Sequence, residues 1–287
     1  MCHLEGMLAD ATGEKVSINM VEPLSGGSIN RALKLQTSNV SYFLKFNSAV
    51  QFPGMFESEK RGLKVLRETG TVTIPEVICS GEFESKAYLV LEMITPGGNN
   101  KMFQEKLGRN LATLHTKQAS MFGLDHDNYI GSLPQSNTQQ LSGIDFMIQE
   151  RFQPLVHQAA TKNLLPANVA KRFETLYKTL PSLLPDEKPV LLHGDLWNGN
   201  VLSGLDGNAW LIDPAIYFGF RETDIAMTYL FGGFETAFYD SYNAEQPLLP
   251  DWKERTKLFQ LYPLLVHLNL FGTGYLGGVK TTLEKYT

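Results

Sequence analysis

The sequence is poor in cysteine, in long apolar runs and in excess positive charge. Two cysteines occur among 287 residues, Cys2 and Cys79, too few for a disulfide scaffold. With Cys2 expected in a loose terminus, no bridge is expected and a reducing compartment is the natural setting. The most apolar stretch, residues 258–271 (LFQLYPLLVHLNLF), is interrupted by Gln260, Pro263, His267 and Asn269. It falls short of the roughly 20 residues that a membrane span needs, so no membrane association is expected. The N-terminal MCHLEGMLADATGEKV lacks a basic segment followed by an apolar one, so no secretory leader is expected and the protein reads as cytoplasmic. Lysine and arginine number 25 against 30 aspartates and glutamates, a formal net charge of −5. A chain-wide basic footprint for nucleic acid is therefore missing. No histidine–cysteine pair stands at metal-ligand spacing, which argues against zinc. No repeat of 20–50 residues points to a solenoid or propeller.

What is present is enough apolar material for a core, 43% hydrophobic and 11% aromatic residues, and a change of pattern along the chain. At roughly 150 residues per domain the length allows about two domains, or one with two lobes. The first third reads as strands. MVEPLSGGSIN is an extended run broken by Gly26 and Gly27, where the backbone can approach a ligand closely. RALKLQTS and VSYFLKFNS alternate apolar and polar positions, as half-buried strands do. FESEKRGLKVLRETG places Phe56, Leu63 and Leu66 at helical spacing with acids in the first turn and Gly70 as a stop. TIPEVICSGEF and KAYLVLEMI read as two further strands. TPGGNN (95–100) is the best linker candidate, and beyond it the pattern turns helical, starting with Phe103, Leu107, Leu111 and Leu114 on one face. The expected organisation is 1–94 as a small β-rich lobe, 95–100 as the linker and 101–287 as a larger helical lobe. A cleft between such lobes is where ligands usually bind.

The densest chemistry lies in HGDLWNGN (193–200) and in the LIDP run at 211–214. Asp195 stands five residues before Asn200 on one tight loop, and Asp213 follows on the next strand. Two carboxylates and an amide so arranged can grip Mg²⁺, which prefers a few protein oxygens together with phosphate oxygens and water, while one carboxylate stays off the metal. That carboxylate can orient a hydroxyl and take its proton as a phosphoryl group arrives. Asp, Asn and Gly also favour plain turns; the two halves of the motif together are what separate the readings.

HGDLWNGN with the downstream Asp-Pro resembles the kinase-like phosphotransferases that include aminoglycoside and choline kinases. The stretches FESEKRGL, LGRNLATLH, FGLDHDNYIGSLPQSN, DPAIYFGFRETDIAMTYLFGGF and LYPLLVHLNLFGTGY are similar to the fructosamine kinase (ketosamine 3-kinase) family over nearly the whole chain. The resemblance implies an α+β, bilobal, protein-kinase-like fold and an ATP- and Mg²⁺-dependent kinase. Its implied substrate is a ketosamine, the sugar adduct of a lysine amine, phosphorylated on the 3-hydroxyl in a deglycation repair.

Carried over by motif, Asp195 is the expected catalytic base, and Asn200 and Asp213 the expected metal ligands. Lys45 would contact the nucleotide phosphates and Glu59 would pair with it. The backbone of Glu92, Met93 and Ile94 would meet the adenine edge. Gly26, Gly27 and Ser28 would form the loop over the phosphates, with Ser28 where some family members carry a cysteine. Asp224 is expected to support the catalytic loop from below, His193 to pack and order it, and His115 and His267 to be core or cap residues. Trp197 has two readings, loop packing or stacking against the sugar or its amine-bearing arm. Arg221 and Glu222 likewise either face the substrate or form salt bridges between helices. Two rival functions stay open here: a kinase of the same fold acting on an aminoglycoside, choline or another hydroxylated amine, and a nucleotide-binding pseudokinase scaffold. No motif encodes the preferred sugar or an oligomeric state.

Overall fold

Alternation of apolar and polar residues before residue 93 builds one antiparallel sheet. The computed structural model describes residues 2–24, 30–98 and 101–287. Its first segment runs α1 (Cys2–Thr12), β1 (Ile18–Leu24), β2 (Arg31–Thr37), β3 (Ser41–Ser48), α2 (Met55–Glu68), β4 (Val77–Phe83) and β5 (Lys86–Glu92), with strand order β1-β2-β3-β5-β4. Period-two geometry puts Leu35, Leu44 and Val90 on one buried face, where they pack with Ile18 and with Leu8 of α1. α1 corrects the expectation of a loose terminus around Cys2. Leu4, Met7, Leu8 and Ala11 stand at helical spacing there; Leu8 is fully buried, and Glu5 accepts a hydrogen bond from the Ile18 backbone (2.8 Å). α2 follows its expected pattern, burying Phe56, Leu63 and Leu66.

The second segment is mainly helical. It contains α3 (Lys101–Leu114), the short hairpin β6 (Asn128–Ile130) and β7 (Leu133–Gln135), α4 (Gly143–Phe146), α5 (Gln153–Thr161) and α6 (Ala167–Leu183). A π-helical turn, Met147–Phe152, joins α4 to α5 without a break. β8 (Val190–Leu192), buried at every residue, leads into the HGD segment. The hairpin β9 (Val201–Ser203) and β10 (Ala209–Leu211) comes next, then β11 (Tyr217–Gly219), which pairs antiparallel with β8. The remainder is helical: α7 (Glu222–Leu230), α8 (Thr236–Glu245), α9 (Trp252–Phe271) and α10 (Leu276–Tyr286). The apolar run at 258–271 lies in α9, which is buried nearly all round its middle. Among the described residues no helix is long and apolar enough to cross a membrane.

The chain divides into two compact units, Met1–Asn99 with Leu202–Asp213, and Asn100–Val201 with Pro214–Thr287. A linear division into 1–94, 95–100 and 101–287 does not represent the excursion at 202–213. Backbone bonds draw that segment to the first unit: Gly97 N–H to Ser203 O (2.7 Å), Leu205 N–H to Thr95 O (3.1 Å) and Leu211 N–H to Thr73 O (2.9 Å). Part of the linker candidate, Asn99 and Asn100, lies outside the described residues.

Candidate active site

In the second unit, the turn after β8 is clamped from beneath. Asp224, in the first turn of α7, accepts hydrogen bonds from the backbone amides of His193 (2.8 Å) and Gly194 (2.9 Å). The same carboxylate meets His115 Nε2 at 3.2 Å, and His115 Nδ1 meets the Tyr242 hydroxyl at 2.8 Å. The side chains of this relay, His115, Asp224 and Tyr242, are buried, and so is His193, whose backbone amide joins it. Burial alone would push the Asp224 carboxyl up; the hydrogen bond and charge of His115, the nearby His193 and the Gly194 amide outweigh it and hold it below the usual carboxylate range. Gly194 sits at φ +83°, and a Cβ there would lie 2.0 Å from the Ala215 carbonyl oxygen, so only glycine allows this turn to close on the segment leading into β11.

Asp195 follows directly. Its main-chain oxygen and its carboxylate Oδ2 both accept from Asn200 Nδ2, at 2.8 and 2.9 Å. The five-residue spacing therefore closes into one ring through the 3-10 turn Asn198–Asn200. With Nδ2 donating, the Asn200 amide oxygen is the part of that side chain left to act as a ligand. Trp197 is half-buried, edge-on to Phe231 (centroids 5.6 Å, 69°) and laid over Gly199. Phe231 continues to His267 (4.7 Å), and His267 to Tyr275 (5.0 Å) and the exposed Phe271 (5.4 Å). Burial lowers the His267 pKa against the opposing Pro263 bond, and Nδ1 faces the Pro263 carbonyl oxygen at 2.8 Å, so it is Nδ1–H that donates there.

In the first unit, Lys45 on β3 reaches both Glu59 of α2 and Asp213, each at 2.5 Å. Its ammonium is buried. Burial works against the charge, and the Asp213 and Glu59 carboxylates more than offset it, so the Lys45 pKa stands above its ordinary value. Glu59 is pushed up to about 7 by burial, with Lys45 opposing and Asp213 adding to the rise. Asp213 itself is about half exposed (49%) and stands at φ +52°. That left-handed conformation is uncommon outside glycine and aims the carboxylate back at Lys45. Glu92 ends β5 with its amide bonded to Glu76 O (2.8 Å) and its carboxylate accepting from the Glu76 amide (3.2 Å). Met93 and Ile94 follow outside the strand, Ile94 buried. Gly26, Gly27 and Ser28 lie outside the described residues.

A family model described as fructosamine kinase matches residues 2–287. The chain belongs to the fructosamine kinase family. A protein of Lactiplantibacillus plantarum assigned as a ketoamine kinase is 40% identical over 94% of this chain and 95% of its own length. The chloroplastic protein-ribulosamine 3-kinase of Arabidopsis thaliana is 34% identical over 96% of this chain and 84% of its own. A crystal structure from Haemophilus somnus assigned as a fructosamine-3-kinase superposes with a TM-score of 0.90 at 28% identity, covering 99% of this chain and 96% of that one.

The sequence leaves Arg221 and Glu222 of this fructosamine kinase open between substrate contact and salt bridges, and in the structure both form ion pairs. Arg221 is buried, pairing with Glu187 (2.7 Å) and donating to the carbonyls of Gln246 and Pro247. Glu222 is buried against Arg255 (2.6 Å). Both side chains hold their own unit together, because a charge removed from water is stable only beside its partner. Their partners Glu187 and Arg255 escape any sequence pattern, lying 34 and 33 residues away. The His115–Tyr242 link beneath the loop spans 127 residues; its one visible trace is a histidine closing an apolar helical face.

Proposed function

We propose that this protein is an ATP- and Mg²⁺-dependent kinase that phosphorylates the 3-hydroxyl of a ketosamine. The observation that carries the reading is the whole-chain family match joined to the Asp195–Asn200 ring on the clamped loop. The names of the relatives supply the acceptor class and the position of transfer.

Asp195 accepts the proton of the acceptor hydroxyl as its oxygen attacks the γ-phosphorus; the bond to the bridging oxygen breaks and ADP departs. Proton transfer of this kind is worth about 10²–10⁴-fold. Lys45 neutralises phosphate charge and Glu59 holds its ammonium in place. At ~4 Å and an effective dielectric near 20 such a pair attracts with roughly 4 kcal/mol before desolvation. The donor set of one carboxylate, Asp213, and one amide oxygen, Asn200, is all hard oxygen and suits magnesium. When bound there, Mg²⁺ supplies charge neutralisation at the phosphates. The backbone of Glu92–Ile94 meets the adenine edge. Trp197 stacks on the acceptor, and the aromatic row through Phe231 to His267 suits an amine-bearing arm, whose ammonium is drawn to ring faces. The phosphate so placed beside the sugar's ketone is a good leaving group. Enolisation of the ketone toward C1 and loss of the phosphate leave an imine at the C1–N bond, and its hydrolysis by water frees the lysine amine, a deglycation that we place in the cytoplasm.

The test is Asp195→Asn with MgATP and ribulose-lysine, product read by mass spectrometry. Turnover should fall by about 10²–10⁴-fold while nucleotide affinity, measured by calorimetry, stays unchanged. Phosphorylation at the wild-type rate would overturn the base assignment. A wild-type enzyme inert on ribulose-, erythrulose- and fructose-lysine would overturn the substrate.

A further inference from the structure

Among the described residues Arg151 is the largest side chain with no solvent exposure, and no carboxylate there forms an ion pair with it. Its guanidinium lies over the Tyr217 ring (4.0 Å) and the Phe146 ring (4.4 Å), with Tyr262 at 5.3 Å. Its hydrogen bonds go to neutral oxygens: Ser136 O (2.5 Å), Asn137 Oδ1 (2.7 Å) and Glu150 O (3.2 Å). The local cause is the π-helical turn Met147–Phe152. Pro154 has no N–H to give the Glu150 carbonyl, four residues earlier, so the wide turn passes over that position and the Arg151 head reaches the carbonyl. π-turns inside α-helices often mark functional sites.

From Arg151 a run of buried polar side chains leads to the catalytic loop. Asn137 Nδ2 donates to Asn128 Oδ1 (3.0 Å), and Asn128 Nδ2 to Ile216 O (2.9 Å). Gln135 Nε2 donates to Asn128 Oδ1 (2.7 Å) and Ala215 O (3.2 Å), while the Tyr262 hydroxyl donates to Gln135 Oε1 (2.5 Å). The Ala215 carbonyl gripped here is the oxygen on which Gly194 closes, and the Ala215 amide donates to His193 O (2.9 Å). Tyr217, under the guanidinium, pairs with Leu192, the residue before His193. Asp224 thus holds the 193–194 turn from one side, and the Arg151 network fixes the 215–217 backbone on the other. Stability does not account for such a feature, since a buried charge without a counter-charge is costly and apolar replacements of buried charges are often neutral or stabilising. Arg151 Nε is buried without a hydrogen-bond partner among the described residues, while Nη1 and Nη2 are both bonded, and buried hydrogen bonds of this kind rigidify what they touch.

We infer that Arg151 is a positioning residue for phosphoryl transfer, holding the 215–217 backbone so that Gly194 seats and the Asp195 carboxylate keeps its aim. The inference rests on the kinase reading with Asp195 as base.

The test compares Arg151→Met, Arg151→Lys and Gln135→Leu with wild type and Asp195→Asn, each checked for folding by circular dichroism melts. In folded Arg151→Met, kcat should fall about 10- to 100-fold, the scale of an ångström-sized misplacement, with the KM values for ATP and ribulose-lysine within about threefold of wild type. Arg151→Lys, which keeps the charge but not the planar fork, should recover part of kcat. Gln135→Leu should show the same kcat-selective loss, less than additive with Arg151→Lys. Folded variants with wild-type kcat overturn the proposal. Should Arg151→Met not fold, wild-type kcat in both other variants overturns it equally. A wild type inert on ketosamines would sink the substrate reading instead, and the same kcat loss is then expected in MgATP hydrolysis without acceptor.

Discussion

Lys45 is shared by two carboxylates, one from α2 and one from a residue 168 positions further along the chain. A single buried ammonium holding both Glu59 and Asp213 couples the strand that is proposed to meet the nucleotide phosphates with the proposed metal ligand. Lys45→Met keeps the bulk and removes the charge. Charge-assisted contacts are worth about 1.5–3 kcal/mol, so ATP affinity should weaken by about 10- to 100-fold. Nucleotide titration by calorimetry checks this, and unchanged ATP affinity would refute the phosphate contact. Trp197 shows how far one residue can be read alone. The sequence leaves it between packing and stacking, and the structure gives it a packing partner in Phe231 at the head of an aromatic row.

Among the elements, α3 and α8 pack through a glycine. A Cβ on Gly108 would lie 2.3 Å from Phe238 O and 3.0 Å from Tyr242 N, so the two helix backbones touch where neither has a side chain to withdraw. α3 carries His115 at its C-terminal end and α8 carries Tyr242, the two ends of the hydrogen bond that leads to Asp224. Gly108→Ala should force the helices apart at a cost of about 1–3 kcal/mol, the usual penalty for overpacking. Urea unfolding measures it. Kinetics should also show a lower kcat, since the displaced relay ends on the catalytic loop, and a stability loss without any kinetic change would dissociate the helix contact from the loop. Glycine at 108 falls inside a helical pattern and costs helix propensity, so its presence in LGRNLATLH was a local sign of close backbone approach.

For the molecule as a whole, the proposed phosphotransfer residues are divided between two compact units. Lys45, Glu59 and Asp213 belong to one, Asp195 and Asn200 to the other, and the chain passes between units at 201/202 and again at 213/214. The buried charges also give stability a pH dependence. Glu59 is raised from its ordinary 4.5 to about 7. Between those values the folded protein holds a proton that the unfolded chain has released, so this group's contribution is full in acid and is lost as pH rises through about 7. Asp224 is lowered and acts in the opposite sense, its contribution being lost as pH falls. Glu59→Gln should therefore gain stability relative to wild type between about pH 5 and pH 7.5. Urea midpoints at the two pH values decide it; a constant difference would mean that Glu59 does not titrate in that window. The net charge of −5 suits an amine-bearing acceptor better than a polyanion.

Local pattern was enough for much of this protein. Strand alternation marked β2 and β3, helical spacing marked α2 and α3, and the five-residue step from Asp195 to Asn200 encoded a ring that a short loop can close. These features depend on neighbours in the chain, and periodicity records neighbours. α1 was missed although Leu4, Met7, Leu8 and Ala11 stand at helical spacing, because the stripe is short and its burial depends on a sheet that lies later in the chain. The partners of Arg221, Glu222 and His115, the membership of 202–213 in the first unit and the isolation of Arg151 from any carboxylate among the described residues were decided only by tertiary structure. Each is a matter of which distant groups share a desolvated space, where an ion or amide must find its partner whatever the separation in sequence.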